Sequence, residues 1–333
     1  MSIIGVGHAI VDLFVEADAE FIASLGRLPG SMALVEPDAT RQVLEKLNVV
    51  KANSGGSAAN TMVGVASLGH PACFVGTLGD DEFGAMYLSD LTQAQVEFRT
   101  DKTVVGQRSG ETGHCVVVVT PDGQRTMLTH LGASSQVAQA LDGLEECPRD
   151  SIIYLEGYVL DSPNAATAIT NVRARARARA RGPDSVRLAF SLSDANLVER
   201  RRQEIRELLE RGSVSILLGN ESEVCALVGT SDLDEACDEI SALVDQGAVT
   251  LGEKGAIVFR GDKREAVPAM PTKVIDTTGA GDLFAAGYLV GVTKGLSLYG
   301  CGALGVMCAT EAVSHFGARP AVSLAEMAIG YGL

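Results

Sequence analysis

The residues best suited to chemistry close the run Asp276-Thr277-Thr278-Gly279-Ala280-Gly281-Asp282, just before the apolar stretch Leu283 to Val292. Glycines let backbone N–H groups point into open space, and a helix that starts there adds partial positive charge. Such a turn can hold an anion. A carboxylate in an anion-binding turn is unfavourable unless it has a task. Asp282 is the candidate to take a proton from a hydroxyl while the amides of Gly279, Ala280 and Gly281 stabilise a phosphoryl group in transfer. The same residues also fit a bland purpose, because Asp is a favoured helix N-cap and Gly before a helix is ordinary loop chemistry.

Other positions carry similar pairs of readings. Asp12 is a lone acid in Ala9-Ile10-Val11-Asp12-Leu13-Phe14-Val15. It either faces solvent from a strand edge or accepts hydrogen bonds from a polyol. Gly55 and Gly56 open a small-residue helix that Gly69 stops, with Asn60 in the first turn. Paired glycines admit a flat ligand or a sugar close to the backbone, and close helix packing would ask for the same residues. Asn220 with Glu223 matches a capping box at the end of a buried strand, and it also sets an amide beside a carboxylate where a hydrated magnesium ion could be held. Thr250, Gly252 and Gly255 form a second strand-end turn, either a plain hairpin or a place for an adenine ring against backbone. Arg125 is a surface strand cation or a phosphate clamp.

These positions need a scaffold, and the patterning predicts one. Strand-like runs at Ile3–Gly7, Ala72–Leu78, Ile152–Leu155, Arg187–Leu192, Val214–Leu218, Ala248–Leu251 and Ala256–Phe259 alternate with helix-like runs in the second half of the chain. The helices are expected at Asn164 to about Ala180, Asn196–Arg211, Glu221–Val228, Asp234–Gln246, Asp282–Thr293 and Ser297–Val313. This alternation implies an α/β fold, with a mainly parallel sheet covered by helices on both faces. In such sheets ligands bind beyond the carboxyl ends of the strands. Val274-Ile275 reads as a strand leading into the Asp276–Asp282 turn. Gly30–Val35 and the hairpin signal Pro121-Asp122-Gly123, between Cys115–Thr120 and Arg125–Thr129, suggest a small second sheet. The Arg-Ala repeat at 173–181 spreads its charge around a helix and reads as a solvated extension that ends at Gly182-Pro183.

Composition excludes several classes. A formal charge of −15 over 333 residues argues against nucleic acid or an anionic membrane surface as partner. No apolar run approaches bilayer length and the N-terminus lacks a basic leader, so a soluble cytoplasmic protein is expected. The seven cysteines are scattered without C-x-x-C and the histidines lack H-x-x-x-H spacing, which leaves free buried thiols and no zinc site. Gly5-x-Gly7 lacks the third glycine of a dinucleotide fingerprint, and no P-loop occurs.

Taken together, the Gly55-Gly56-Ser57-Ala58-Ala59-Asn60 helix start, Asn220-x-x-Glu223, the Thr250-x-Gly252-x-x-Gly255 turn and Asp276-Thr277-Thr278-Gly279-Ala280-Gly281-Asp282 resemble the ribokinase-like, or PfkB, family of carbohydrate and nucleoside kinases. The glycine-pair segment is most similar to its adenosine kinases. The resemblance covers essentially the whole chain, 1–333. It implies a three-layer ribokinase-like sandwich plus a small β-sheet lid from segments around 9–16, 28–36 and 103–130. It further implies Asp282 as base and Gly279, Ala280 and Gly281 as anion hole. Asp12, Gly55, Gly56 and Asn60 would hold substrate hydroxyls, with His8 standing where adenosine kinases carry Asn. Asn220 and Glu223 would act on magnesium through water, Thr250, Gly252 and Gly255 would border ATP, and Arg125 would approach the phosphates. Asp276 and Thr278 would lie at a monovalent cation, K+ being the usual one. The implied activity is ATP-dependent phosphorylation of a nucleoside, adenosine first. A fructokinase- or ribokinase-type sugar kinase is the alternative, and a nucleoside- or nucleotide-binding protein without turnover is a third. Oligomeric state is left open.

Overall fold

The computed structural model describes residues 2–99, 110–141, 144, 150–179 and 186–333. In chain order the described strands are β1 (Ile3–Val6), β2 (Ile10–Glu16), β3 (Met32–Leu34), β4 (Lys51–Ser54), β5 (Ala72–Val75), β6 (Glu97–Arg99) and β7 (Gly113–Val119). They continue as β8 (Arg125–His130), β9 (Ile152–Glu156), β10 (Arg187–Ser191), β11 (Ile216–Asn220), β12 (Gln246–Thr250), β13 (Ala256–Arg260) and β14 (Lys263–Val267). The helices are α1 (Ala19–Ser24), α2 (Pro37–Leu44), α3 (Ser57–Ser67), α4 (Glu82–Gln93), α5 (Val137–Ala140) and α6 (Ala165–Arg179). The remaining helices are α7 (Ala195–Glu210), α8 (Glu221–Val228), α9 (Leu233–Leu243), α10 (Ala280–Thr293), α11 (Leu298–Ala312) and α12 (Leu324–Tyr331).

The large sheet runs β14-β13-β12-β11-β10-β9-β1-β5-β6. All pairs from β12 to β6 are parallel, and β13 and β14 add an antiparallel edge. Successive side chains of a strand point to opposite faces, so Ile3 joins the core under α3, α10 and α11 while Ile4 joins the one under α5 to α9. Burial on both faces is why the inner strands read as unbroken apolar runs. Each fully buried Leu, Ile or Phe contributes roughly 1.5–3 kcal/mol towards holding the layers together. The small residues of α3 also have a packing purpose: a Cβ on Gly64 would lie 2.7 Å from Ala286 Cβ of α10.

The second sheet runs β3-β8-β7-β2-β4. One face packs on α1 and α2 through Val15, Ile22, Val43, Val116, Val118 and Leu128. The segments expected to build it supply β2, β3, β7 and β8, while residues 103–109 of the expected range lie outside the described residues. β4 joins it unannounced, because Lys51-Ala52-Asn53-Ser54 carries no apolar alternation to betray a strand. Val274-Ile275 is a correction of the opposite kind. It forms no strand, and both side chains are exposed. The Ile275 N–H donates to the Val313 carbonyl at 2.8 Å, so the segment is docked on the end of α11 and not on a sheet. The Arg-Ala repeat continues α6 to Arg179, and its remainder lies outside the described residues. Among the described residues no helix is long and apolar enough to cross a membrane.

Candidate active site

Two helices begin beside one another on glycine. Gly56 caps α3 with φ 93° and Gly279 caps α10 with φ 80°, and neither helix has a side-chain cap. At Gly279 any other residue would meet both a strained backbone and a wall, since its Cβ would lie 2.5 Å from Ala318 Cα. At Gly56 a Cβ would collide with the His8 carbonyl. The two uncapped N-termini therefore bring backbone dipoles of the same sign to one place.

Asp282 is the third residue of α10, inside the first turn and not the cap. That removes the bland reading of this acid. Ser57 Oγ donates to its Oδ1 at 2.6 Å, and Asn60 Nδ2 donates to its Oδ2 at 3.1 Å. Burial pushes its pKa up to about 7, against the pull of these two donors and with further upward push from the Glu156 charge. A carboxylate poised there exchanges protons near neutrality, as a general base should.

Asp12 reaches the same region from β2, and Gly55 packs so tightly on it that a Cβ would collide with Asp12 Oδ2. Burial raises Asp12 to about 7 as well, opposed by the charges of Arg319 and Arg125. The acceptor side thus holds two carboxylates that are both costly to ionise.

Glu156, at the carboxyl end of β9, has no counterpart among the expected site residues. Its Oε1 accepts the His8 N–H at 2.8 Å and lies 3.1 Å from His8 Nδ1, while Oε2 accepts the Ala58 N–H at 2.7 Å. It therefore ties the end of β1 to the first turn of α3. His8 Nε2 lies 3.4 Å from Ser162 Oγ, so both ring nitrogens are engaged within the protein and the side chain is buried. A substrate contact for His8, expected from its place in the sequence, is replaced by this internal one. Glu156 had a signal of the same kind as Asp12, a single acid ending an apolar run; Ser57 and Arg319 had none.

Asp276 is filled by donors. The Thr278 N–H and Oγ1 reach its Oδ1 at 3.1 and 2.7 Å, and the Gly317 N–H and Arg125 Nη2 reach its Oδ2 at 2.9 and 2.8 Å. Burial alone would raise this acid, but Gly317, Thr278 and Arg125 together hold it below the ordinary carboxylate range. Arg125 Nη1 also donates to Thr278 Oγ1 at 2.7 Å. With four donors on its lone pairs, Asp276 offers no open oxygen to the monovalent cation expected at Asp276 and Thr278, and the Arg125 guanidinium supplies positive charge there instead.

A cleft of about 1060 Å³ opens beside this turn, and Asn220, Thr250, Gly252, Thr277, Ala280 and Gly281 line it. These residues sit at the carboxyl ends of β11 and β12 and the start of α10, as ligand-binding residues do in parallel sheets. Gly255 does not line the cleft. With φ 95°, it turns β12 into β13, and a Cβ there would collide with the Val267 carbonyl. Asn220 and Glu223 form the expected capping box: Asn220 Oδ1 accepts the Glu223 N–H at 2.9 Å, and Glu223 Oε2 accepts the Asn220 N–H at 2.9 Å. Burial raises Glu223 to about 7. Among the described residues no cluster of three or more His, Cys, Asp or Glu could cage a metal. This donor set suits a magnesium ion that keeps its waters and arrives on phosphates, not one held by protein alone.

The sequence pattern of the pfkB family of carbohydrate kinases matches residues 19–324. The chain belongs to this family. It is thus an ATP-dependent phosphotransferase of the sugar and nucleoside kinase type. It is similar to the adenosine kinase from Sinorhizobium meliloti, with 35% identity, a TM-score of 0.85 and 99% of each chain covered. It is also similar to a probable sugar kinase from Rhizobium etli CFN 42, with 33% identity, a TM-score of 0.87, 99% of this chain and 98% of the other covered. A ribokinase from Arabidopsis thaliana is 29% identical over 330 residues, which are 95% of this chain and 77% of the plant protein. The pfkB fold of the solved relatives matches the two sheets described above.

Proposed function

We propose that this pfkB-family kinase moves the γ-phosphate of ATP to a primary hydroxyl of a nucleoside, adenosine first among candidates. Asp282 is the base. Support for this comes from its place in the first turn of α10, hydrogen-bonded by Ser57 and Asn60 and pushed to about 7. The Gly279, Ala280 and Gly281 amides meet the charge that develops on the transferred group. Asp12, Gly55, Gly56 and Asn60 fix the acceptor hydroxyls, and Thr250 and Gly252 border the nucleotide. Asn220 and Glu223 meet magnesium through water; when bound, that ion neutralises phosphate charge. Arg125, docked on Asp276, keeps a positive charge at the edge of the phosphate region. The small sheet acts as a lid that excludes water when both substrates are present.

One observation favours a nucleoside over a free sugar. Pairing across the small sheet sets Phe14 beside Val117 and Asp12 beside Cys115 on β7, and Val117 beside Met127 on β8. The side chains flanking Asp12 on its face of the sheet are thus apolar, as Ile10, Cys115 and Val117 pack together there with Phe14 and Met127. A flat base can lie on such a band, whereas a free sugar presents hydroxyls around its whole rim. An ADP-release assay with adenosine, other nucleosides, ribose and fructose tests this. Highest kcat/KM for a nucleoside is expected; higher values for ribose or fructose assign a sugar kinase, and no turnover with any of them leaves a binding protein.

A further inference from the structure

Arg319 lies on the segment after α11, next to Ala318, which packs against Gly279. Its Nε donates to Asn60 Oδ1 at 3.5 Å, while Asn60 Nδ2 donates to Asp282 Oδ2 at 3.1 Å. The two ends of one amide are thereby assigned, carbonyl to guanidinium and NH2 to carboxylate. Arg319 Nη2 is buried and has no hydrogen-bond partner among the described residues. Burial pulls the Arg319 pKa down, and the carboxylate charges of Asp90 and Asp12 push it back. A guanidinium so placed is an expense to the fold unless its neighbours need it.

We infer that Arg319 is a positioning residue for the phosphoryl acceptor, turning the Asn60 amide towards Asp282 and giving Asp12 its counter-charge. The inference rests on the acceptor site proposed above. Asp12 faces Arg319 from the loop after α11, Arg125 from β8, Cys115 from β7 and Tyr87 from α4. Without Arg319 only Arg125 remains to favour its charged form. Asp282 faces Ser57 and Asn60 from α3, Glu156 and Tyr154 from β9, Tyr158 just after β9 and Glu223 from α8. None of these can replace a donor on Asn60 Oδ1.

Two substitutions separate charge from hydrogen bond. Arg319→Met should raise the acceptor KM at pH 7 by about fivefold, since a one-unit rise from about 7 cuts the ionised share of Asp12 from about a half to about a tenth, and leave the KM for ATP unchanged. The rise should shrink at pH 9, where Asp12 ionises without help. Arg319→Lys keeps the charge and loses the planar Nε donor, so KM should stay near normal while kcat falls. A carboxyl 13C titration, with Asp12 identified by its loss in Asp12→Asn, reads the same effect without turnover: its midpoint should move up in Arg319→Met. Folded Arg319→Met with unchanged acceptor KM and unchanged Asp12 titration overturns the inference. If Arg319→Met does not fold, undiminished kcat in Arg319→Lys overturns it. If the wild type phosphorylates no acceptor, the kinase reading of the site fails, and the titration still judges Arg319.

Discussion

Asp282 is held between two opposing influences: a buried position that resists charge and two donors, Ser57 and Asn60, that favour it. Its folded-state pKa of about 7 lies above the 3.8 of an exposed Asp. The folded chain therefore keeps a proton that the unfolded chain releases. The stability this group contributes is fully present below about pH 4 and is lost as pH rises to about 7. Asp282→Asn is neutral throughout, so its melting temperature should gain on the wild type between pH 4 and 7 and hold a constant lead above 7. A lead that does not change with pH contradicts burial as the cause. In activity, kcat should fall at least ~10²-fold, the usual range for loss of a general base. The wild-type kcat/KM should drop on the acid side with a midpoint near 7, where Asp12 and Asp282 both take up protons. At this scale the sequence pointed to residues with unusual neighbours, Asp282 after two glycines and Asn60 after a glycine pair, and the fold brings these two within hydrogen-bond reach. It was silent on Ser57 and Arg319, whose roles depend on contacts across 225 and 259 positions of chain.

At the scale of elements, the two glycines of the α10 start differ. Gly279 has φ 80° and no room, whereas Gly281 is helical and exposed, with nothing within 4 Å of an added Cβ. Gly279→Ala should destabilise by at least about 1–2 kcal/mol from the left-handed backbone alone, and more from the contact with Ala318. Gly281→Ala should stabilise by up to about 1 kcal/mol through helix propensity, yet lower kcat by roughly tenfold or more by placing a methyl among the anion-binding amides. Urea melts and kcat on both variants check the pair; equal stability losses would show that the turn is misread. Helix α8 and the helix start at Gly56 were legible because caps and glycines are local signals. β4 and β14 were not, since Lys51-Ala52-Asn53-Ser54 and Lys263-Arg264-Glu265 are polar edge strands whose partners alone make them strands. Val274-Ile275 misled in the other direction, two β-branched residues with a helix end and no sheet beside them.

For the whole molecule, the α/β alternation revealed the parallel sheet and its helical layers, because burial on both faces marks the inner strands. The relation between the two sheets has no local signature: Val11 and Leu13 of β2 enter the core that also holds Ile3 of the large sheet, and Arg125 of β8 adds a polar tie to Asp276 and Thr278. The pair is largely out of water, with side-chain exposures of 24% and 8%. Arg125→Gln should therefore cost about 1.5–3 kcal/mol, as for hydrogen bonds to charged groups, and raise the KM for both substrates. Thermal melts and steady-state kinetics check this. A variant with wild-type KM values would mean that the tie does not bear on closure. The most direct test of the whole reading is transfer of label from γ-32P-ATP to adenosine by the wild type and by Asp282→Asn at pH 8. We predict labelled adenosine monophosphate with the wild type and at least ~10²-fold slower labelling with the variant. Equal rates, with the variant folded, would contradict a carboxylate base at the start of α10.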